Sequence, residues 1–78
     1  MNFERMTIRT RLFRNARPDD QRESVVVSQV GGAWRTMEEF QAWARRKHAG
    51  SCAVIENGVT FIEHLGRGLR CVYEITLS

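Results

Sequence analysis

Two tight turns near the end of the chain constrain its fold more than any other feature. Asn57-Gly58 separates Cys52–Glu56 from Val59–Leu65, and Gly66-Arg67-Gly68 separates the latter from a third segment that starts at Leu69 and runs toward Ser78. Asn-Gly is the strongest short-range hairpin signal, because a type I′ turn needs positive φ at both central residues. Read as a two-residue loop, it pairs Glu56 with Val59, Val54 with Phe61 and Cys52 with Glu63. The glycine-flanked loop pairs Leu65 with Leu69, Glu63 with Cys71, Phe61 with Tyr73 and Val59 with Ile75. The last third thus reads as a three-stranded antiparallel meander.

Side chains alternate across a strand, so each register sorts residues onto faces. Both turns place Cys52, Val54, Val59, Phe61, Leu65, Leu69, Cys71, Tyr73, Ile75 and Leu77 on one core face. Glu56 and Glu63 also fall there. Glu56 reaches water beside the turn. Glu63 marks the open end of the sheet or meets an arginine. The other face carries Thr60, His64, Arg70, Glu74 and Thr76, with Ala53, Ile62 and Val72 in one cross-strand row and Ile55 nearby. That row is either ordinary strand composition on a half-exposed face or a small apolar contact patch for a partner or a second protomer.

Upstream, Arg5–Arg14 alternates as a strand. Met6, Ile8, Thr10 and Leu12 point one way; Arg5, Thr7, Arg9, Arg11 and Phe13 point the other. Arg5, Arg9 and Arg11 therefore form a basic stripe, with Arg14 and Arg17 close by. Asp19, Asp20 and Glu23 are the nearby acids able to offset it. Asn15–Gln21 carries the turn residues Asn15, Pro18 and Asp19-Asp20 and reads as a mobile polar loop. Ser24–Val30 reads as a second strand whose Val25-Val26-Val27 run implies burial on both faces or a central position. Gly31-Gly32 breaks or bends it.

Thr36–Gly50 is the single helix. Thr36 and Glu39 make a capping box. Glu38 and Glu39 suit the positive end of the helix dipole, and Arg45, Arg46, Lys47 and His48 suit the negative end. Gly50 is the C′ residue. Met37, Phe40, Trp43 and Ala44 share the face that packs on the sheet. Trp34 either staples the helix start or stands exposed as an anchor. The whole is an α+β fold, β-β-α-β-β-β: a mainly antiparallel five-stranded sheet with one helix on one face. The order of the strands is open, since the first hairpin could join either edge of the meander.

At 78 residues this is one domain with a modest core. Its N-terminus has no signal peptide, since Glu4 and Arg5 interrupt it before any apolar run, and no stretch reaches the ~20 apolar residues of a membrane span. Cys52 and Cys71, two strands apart at about 9–10 Å, lie beyond disulfide reach. Free thiols imply a reducing cytosol. Net charge is +3, and the basic side is arginine throughout except Lys47. Arginine suits bidentate contacts to phosphate or carboxylate; a GC-rich genome gives the same bias.

Catalytic and metal signals are weak. His48, Cys52, His64 and Cys71 match no compact zinc spacing beyond His48-x3-Cys52, and the register puts His64 on the face away from both thiols. The same geometry argues against a cysteine nucleophile. Gly66-Arg67-Gly68 opens no helix and is no phosphate loop. The expectation is a protein that is not an enzyme and takes no cofactor.

The segment Thr36-Met37-Glu38-Glu39-Phe40-Gln41-Ala42-Trp43 is a capped helix with an aromatic anchor following a hairpin. In that element, in size and in single-domain layout the chain resembles the small phage-encoded anti-CRISPR proteins. It is most similar to those that bind type I surveillance complexes (Cascade) and block recruitment of target DNA. The resemblance implies a non-enzymatic inhibitor with a protein partner in the bacterial host cytosol and no cofactor; it assigns no residue a role. The residues of this chain suited to partner contact are Arg5, Arg9, Arg11, Arg14, Arg45, Arg46, Ile62, Arg70 and Val72, in a monomer or weak homodimer. The alternative is a small basic nucleic-acid-binding module, with Arg5, Arg9, Arg11, Arg14 and Arg17 tracking phosphates and Arg45, Arg46 and Lys47 adding a second site. Phe13 is then the one stacking aromatic on the open face.

Overall fold

The computed structural model describes residues 3–14, 17–48 and 51–78, with the backbone alone for residues 18–20. It is an α+β fold of β1 (Arg5–Arg14), β2 (Arg17–Gln29), α1 (Met37–Lys47), β3 (Ala53–Ile55), β4 (Gly58–Gly66) and β5 (Leu69–Leu77). The five strands form one antiparallel sheet in the order β2-β1-β5-β4-β3. The first hairpin thus joins the meander at β5, through pairs such as Ile8 with Ile75 and Leu12 with Cys71. The C-terminal residue seals that junction: Glu4 and Arg5 each donate a backbone N–H to the Ser78 carbonyl, at 2.9 and 3.0 Å.

The β4–β5 register is the expected one for Glu63 with Cys71, Phe61 with Tyr73 and Val59 with Ile75. At the turn, Gly66 rather than Leu65 faces Leu69, and an irregularity between His64 and Gly66 absorbs the extra residue. Gly66, Arg67 and Gly68 all take positive φ, at 80°, 54° and 73°. The β3–β4 register differs from the expectation by two residues. Ala53 faces Thr60, Val54 faces Val59 and Ile55 faces Gly58, so the loop is Glu56-Asn57. Asn57 supplies the positive φ, 64°. Gly58 belongs to the strand for a different reason: a Cβ there would lie 1.8 Å from the Ile75 carbonyl oxygen. Close backbone approach, rather than turn conformation, requires that glycine. A slip of two leaves every side chain on its expected face. It does remove Ala53 from the row of Ile62 and Val72, and it leaves Glu56 exposed in the turn.

β2 is longer than Ser24–Val30. Its strand begins at Arg17, which faces Arg14, and the register shift beyond Phe13–Gln21 accommodates residues 18–20. Most of the expected polar loop is therefore strand, with the Pro18-Asp19-Asp20 turn chemistry spent on the irregularity; Asn15 lies outside the described residues. The valine run is not buried. Val25, Val26 and Val27 are 51%, 54% and 56% exposed, because β2 is an edge strand and α1 packs over the other half of the sheet.

Thr36 caps α1 by accepting the Glu39 N–H at 3.1 Å, and the Glu39 carboxylate accepts from the Arg35 N–H at 3.1 Å. The acidic arm thus reaches one residue beyond the cap itself. The helix ends at Lys47 with His48 as its cap, the His48 N–H donating to the Ala44 carbonyl; Gly50 lies outside the described residues. Phe40 and Ala44 are fully buried against Val59, Phe61, Ile75 and Leu77. Trp34 is a staple: its ring meets Phe40 edge-on at 5.0 Å and Trp43 at 5.1 Å. Gln41 ties the helix to the β3–β4 turn, donating through Nε2 to the carbonyls of Ile55 and Gly58 at 3.3 and 3.1 Å.

This core occupies one half of the helix-side face. Toward the Gly66-Arg67-Gly68 turn the cover stops. Leu65 is 49% exposed there, Glu63 is exposed, and Val54 on the far edge is 51% exposed. Val54 is thus on the core face by direction but outside the core, and Leu65, expected on that face, falls in the irregularity between His64 and Gly66. Glu63 marks the open end of the sheet.

Candidate functional site: the open face of the sheet

Among the described residues, the face away from α1 has no second layer. Strand registers lay it out in rows. Val25, Arg9, Glu74, Thr60 and Ala53 form one; Glu23, Arg11, Val72 and Ile62 the next; Gln21, Phe13, Arg70 and His64 the last. Six of the expected contact residues share this face: Arg5, Arg9, Arg11, Ile62, Arg70 and Val72. Arg14 does not. It stands at the far end of β1, on the opposite pleat, facing Arg17 and Leu69. Arg45 and Arg46 are exposed in the last turn of α1, on the other side of the sheet. No single flat partner surface reaches all nine.

The basic stripe is partly neutralised. Arg9 Nε lies 3.0 Å from Glu23 Oε1, and Glu74 faces Arg9 from β5. Glu23 is one of the acids expected to offset the stripe. Glu74 is a second, legible only once β5 is known to adjoin β1. Arg70 lies over the Phe13 ring, 5.1 Å from its centroid, in the cation–π range. That contact places the guanidinium over the face of the aromatic expected to stack on bases. Ile62 is 39% exposed beside Val72. The centre of the face is thus an aliphatic pair bordered by Arg11 and Arg70.

A second cationic region lies at the turn end. Arg14, Arg17, Arg67, Gly68 and Leu69 line a cleft of about 400 Å³, and Leu12, Arg14, Arg22 and Leu69 line a smaller one beside it. Two hairpin ends meet here because β1 pairs with β5, a convergence that no local sequence signal announces.

Cys71 is buried and Cys52 half-buried, and both are free. Their side chains point to the helix side; His64 points to the open face. His48 is stacked on Phe61. Among the described residues, no group of three or more His, Cys, Asp or Glu side chains is placed to hold a metal ion. Nor is any helix among them long and apolar enough to cross a membrane. The Tyr73 hydroxyl is pushed up to about 12, first by a hydrogen bond with the Cys71 side chain, then by burial and by the negative charge of Cys71 and Glu63.

Comparison with protein-family models, with curated proteins and with solved structures finds no match.

Proposed function

We propose that the chain is a small non-enzymatic binding protein that inhibits a larger assembly by occupying one of its surfaces through the open sheet face. The observation that carries this reading is the Ile62–Val72 pair set between Arg11 and Arg70 on a face that no described residue covers with a second layer. An apolar centre with an arginine border is the composition of a protein contact rather than of a phosphate track. In its most specific form the partner is a type I CRISPR surveillance complex in a bacterial host cytosol, and binding blocks recruitment of target DNA.

The test is an affinity pull-down from bacterial lysate, with and without nuclease, followed by mass spectrometry. A stoichiometric protein partner that survives nuclease and is lost with Ile62→Arg or Val72→Glu supports the reading; a CRISPR complex subunit would establish the specific form. Recovery of nucleic acid alone overturns it.

One observation favours the alternative, a nucleic-acid-binding module. Arg14, Arg17 and Arg67 line the turn-end cleft, with Arg22 in the adjoining one. Phosphate binding there would weaken steeply with salt as counterions are displaced. Binding through the aliphatic pair would persist in moderate salt.

A further inference from the structure

The other exposed apolar feature lies on the sheet edge. Among the described residues β2 pairs with β1 alone, so one side of its backbone has no strand of this chain's described residues beside it. Natural edges are blunted by lysine, proline, bulges or very short strands. From Ser24 to Gln29 β2 has none of these and no charged side chain: the register with β1 is regular over this span, and Arg22, Glu23, Pro18 and the irregularity lie beyond it. Instead the edge presents Val25, Val26 and Val27, each more than half exposed.

Ser24-Val25-Val26-Val27-Ser28 reads the same in both directions. A two-fold interface between identical strands is isologous, so residue i meets residue j and j meets i. Antiparallel pairing about Val26 puts Val26 on Val26, Val25 on Val27 and Ser24 on Ser28 of the second copy. Glu23 then meets Gln29, and no like charges face one another. Moving the axis to Val25 would set Glu23 against Val27; moving it to Val27 would set Val25 against Gln29.

The helix-side pleat supplies an independent reason. Registers align Val54, Val59, Ile75, Ile8 and Val26 in one row across all five strands. Every member is β-branched and aliphatic, and the row ends in a half-exposed valine at the long edge. A second copy continues it without interruption, Val26 against Val26. Cross-strand pairs of this kind are the unit of sheet stabilisation.

We propose that the chain self-associates through β2, forming a two-fold dimer with a continuous ten-stranded sheet, both helices on one side and both open faces on the other. The occupant of the edge is a second copy, chosen by the palindrome. The inference holds whichever partner the open face takes.

Sedimentation equilibrium tests it on the full chain. Wild type is expected to dimerise with rising concentration, in moderate salt as in low. Val26→Lys sets a charge against its own copy and should weaken association about a hundredfold while leaving the far-UV circular dichroism unchanged. Crosslinking fixes the register: in a Cys52→Ser background, Val26→Cys should form a disulfide dimer on mild oxidation, whereas Val25→Cys should need Val27→Cys as its partner. If Val26→Lys fails to fold, the crosslinking pattern decides. A wild type that stays monomeric at millimolar concentration, a dimer indifferent to Val26→Lys, or a Val26→Cys chain that does not crosslink would each overturn the proposal.

Discussion

The imidazole of His48 lies flat on the ring of Phe61, with centroids 3.9 Å apart and planes 13° from parallel. Phe61 in turn stacks on Tyr73, at 4.6 Å and 18°. The residue that caps the helix thereby joins it to the middle of β4 and β5, and the cationic last turn is held against the sheet through that stack. His48→Ala should cost about 1 kcal/mol, the scale of an aromatic pair beyond its area burial. Phe61→Ala removes both neighbours from a buried position and should cost about 3–5 kcal/mol. Urea denaturation of the two single variants and the double one checks this. Additivity between His48 and Phe61 would show that the stack contributes nothing.

Gly58 and Asn57 should respond in opposite ways. A Cβ on Gly58 meets the Ile75 carbonyl, a backbone atom that cannot swing aside. Gly58→Ala should therefore separate β4 from β5 next to the core and cost about 3 kcal/mol or more, above the usual range for overpacking. Asn57 already sits at φ 64°, so Asn57→Gly should change stability by less than about 1 kcal/mol. Thermal unfolding distinguishes them, since 1 kcal/mol moves the midpoint of so small a domain by about 4–8 °C. Equal sensitivity at the two positions would return the turn to Asn57-Gly58.

Tyr73 is the chain's one tyrosine, so its ionisation can be followed alone by ultraviolet absorbance. Folded, it is raised from 10.0 to about 12. A phenol whose folded pKa exceeds its unfolded one keeps its full stabilising contribution below pH 10. It loses that contribution as the pH climbs from 10 to about 12, where the unfolded chain has released the proton and the folded chain has not. Stability measured by denaturant should fall over that window. Cys71→Ala removes the largest cause of the shift and should bring the titration back toward 10; an unchanged midpoint in that variant would assign the shift to burial instead.

Most of the fold was legible in local chemistry. Glycine-bearing turns and alternating side chains defined the meander and its faces, and Thr36 with Glu39 defined the start of the helix. What local chemistry could not convey was adjacency between distant segments. Val25-Val26-Val27 has the composition of a buried strand, yet burial depends on neighbours, and β2 gained only β1. The Ala53, Ile62 and Val72 row depended on a two-residue register that Gly58 settles by contact with β5, a strand remote in sequence. Arg14, Arg17 and Arg67 meet for the same reason. Arg5, Arg9 and Arg11 share a face, as do Ile62, Arg70 and Val72, because period-two alternation is local; the two sets meet on one face only through the β1–β5 pairing, and Arg45 and Arg46 fall elsewhere because the helix takes the other side of the sheet.

Substitutions on the open face should separate binding from folding. The Arg9–Glu23 pair is solvent-exposed, 44% and 49% by side chain, and pairs of that kind contribute about 0–1 kcal/mol. Arg9→Gln should thus move the unfolding midpoint by no more than about 8 °C. Ile62→Arg introduces no buried charge, because Ile62 is itself exposed. If the face is the contact surface, Ile62→Arg and Val72→Glu should abolish partner capture at any moderate salt, while Arg9→Glu with Arg11→Glu should weaken it most at low salt, where charge pairs are least screened. Capture measured across a salt series, alongside the melting curve of each variant, makes the comparison. Charge reversal at Arg9 and Arg11 with no effect on capture would remove the stripe from the interface and leave the aliphatic pair to account for it. Loss of capture only in Arg14, Arg17 and Arg67 variants would move the contact to the turn-end cleft.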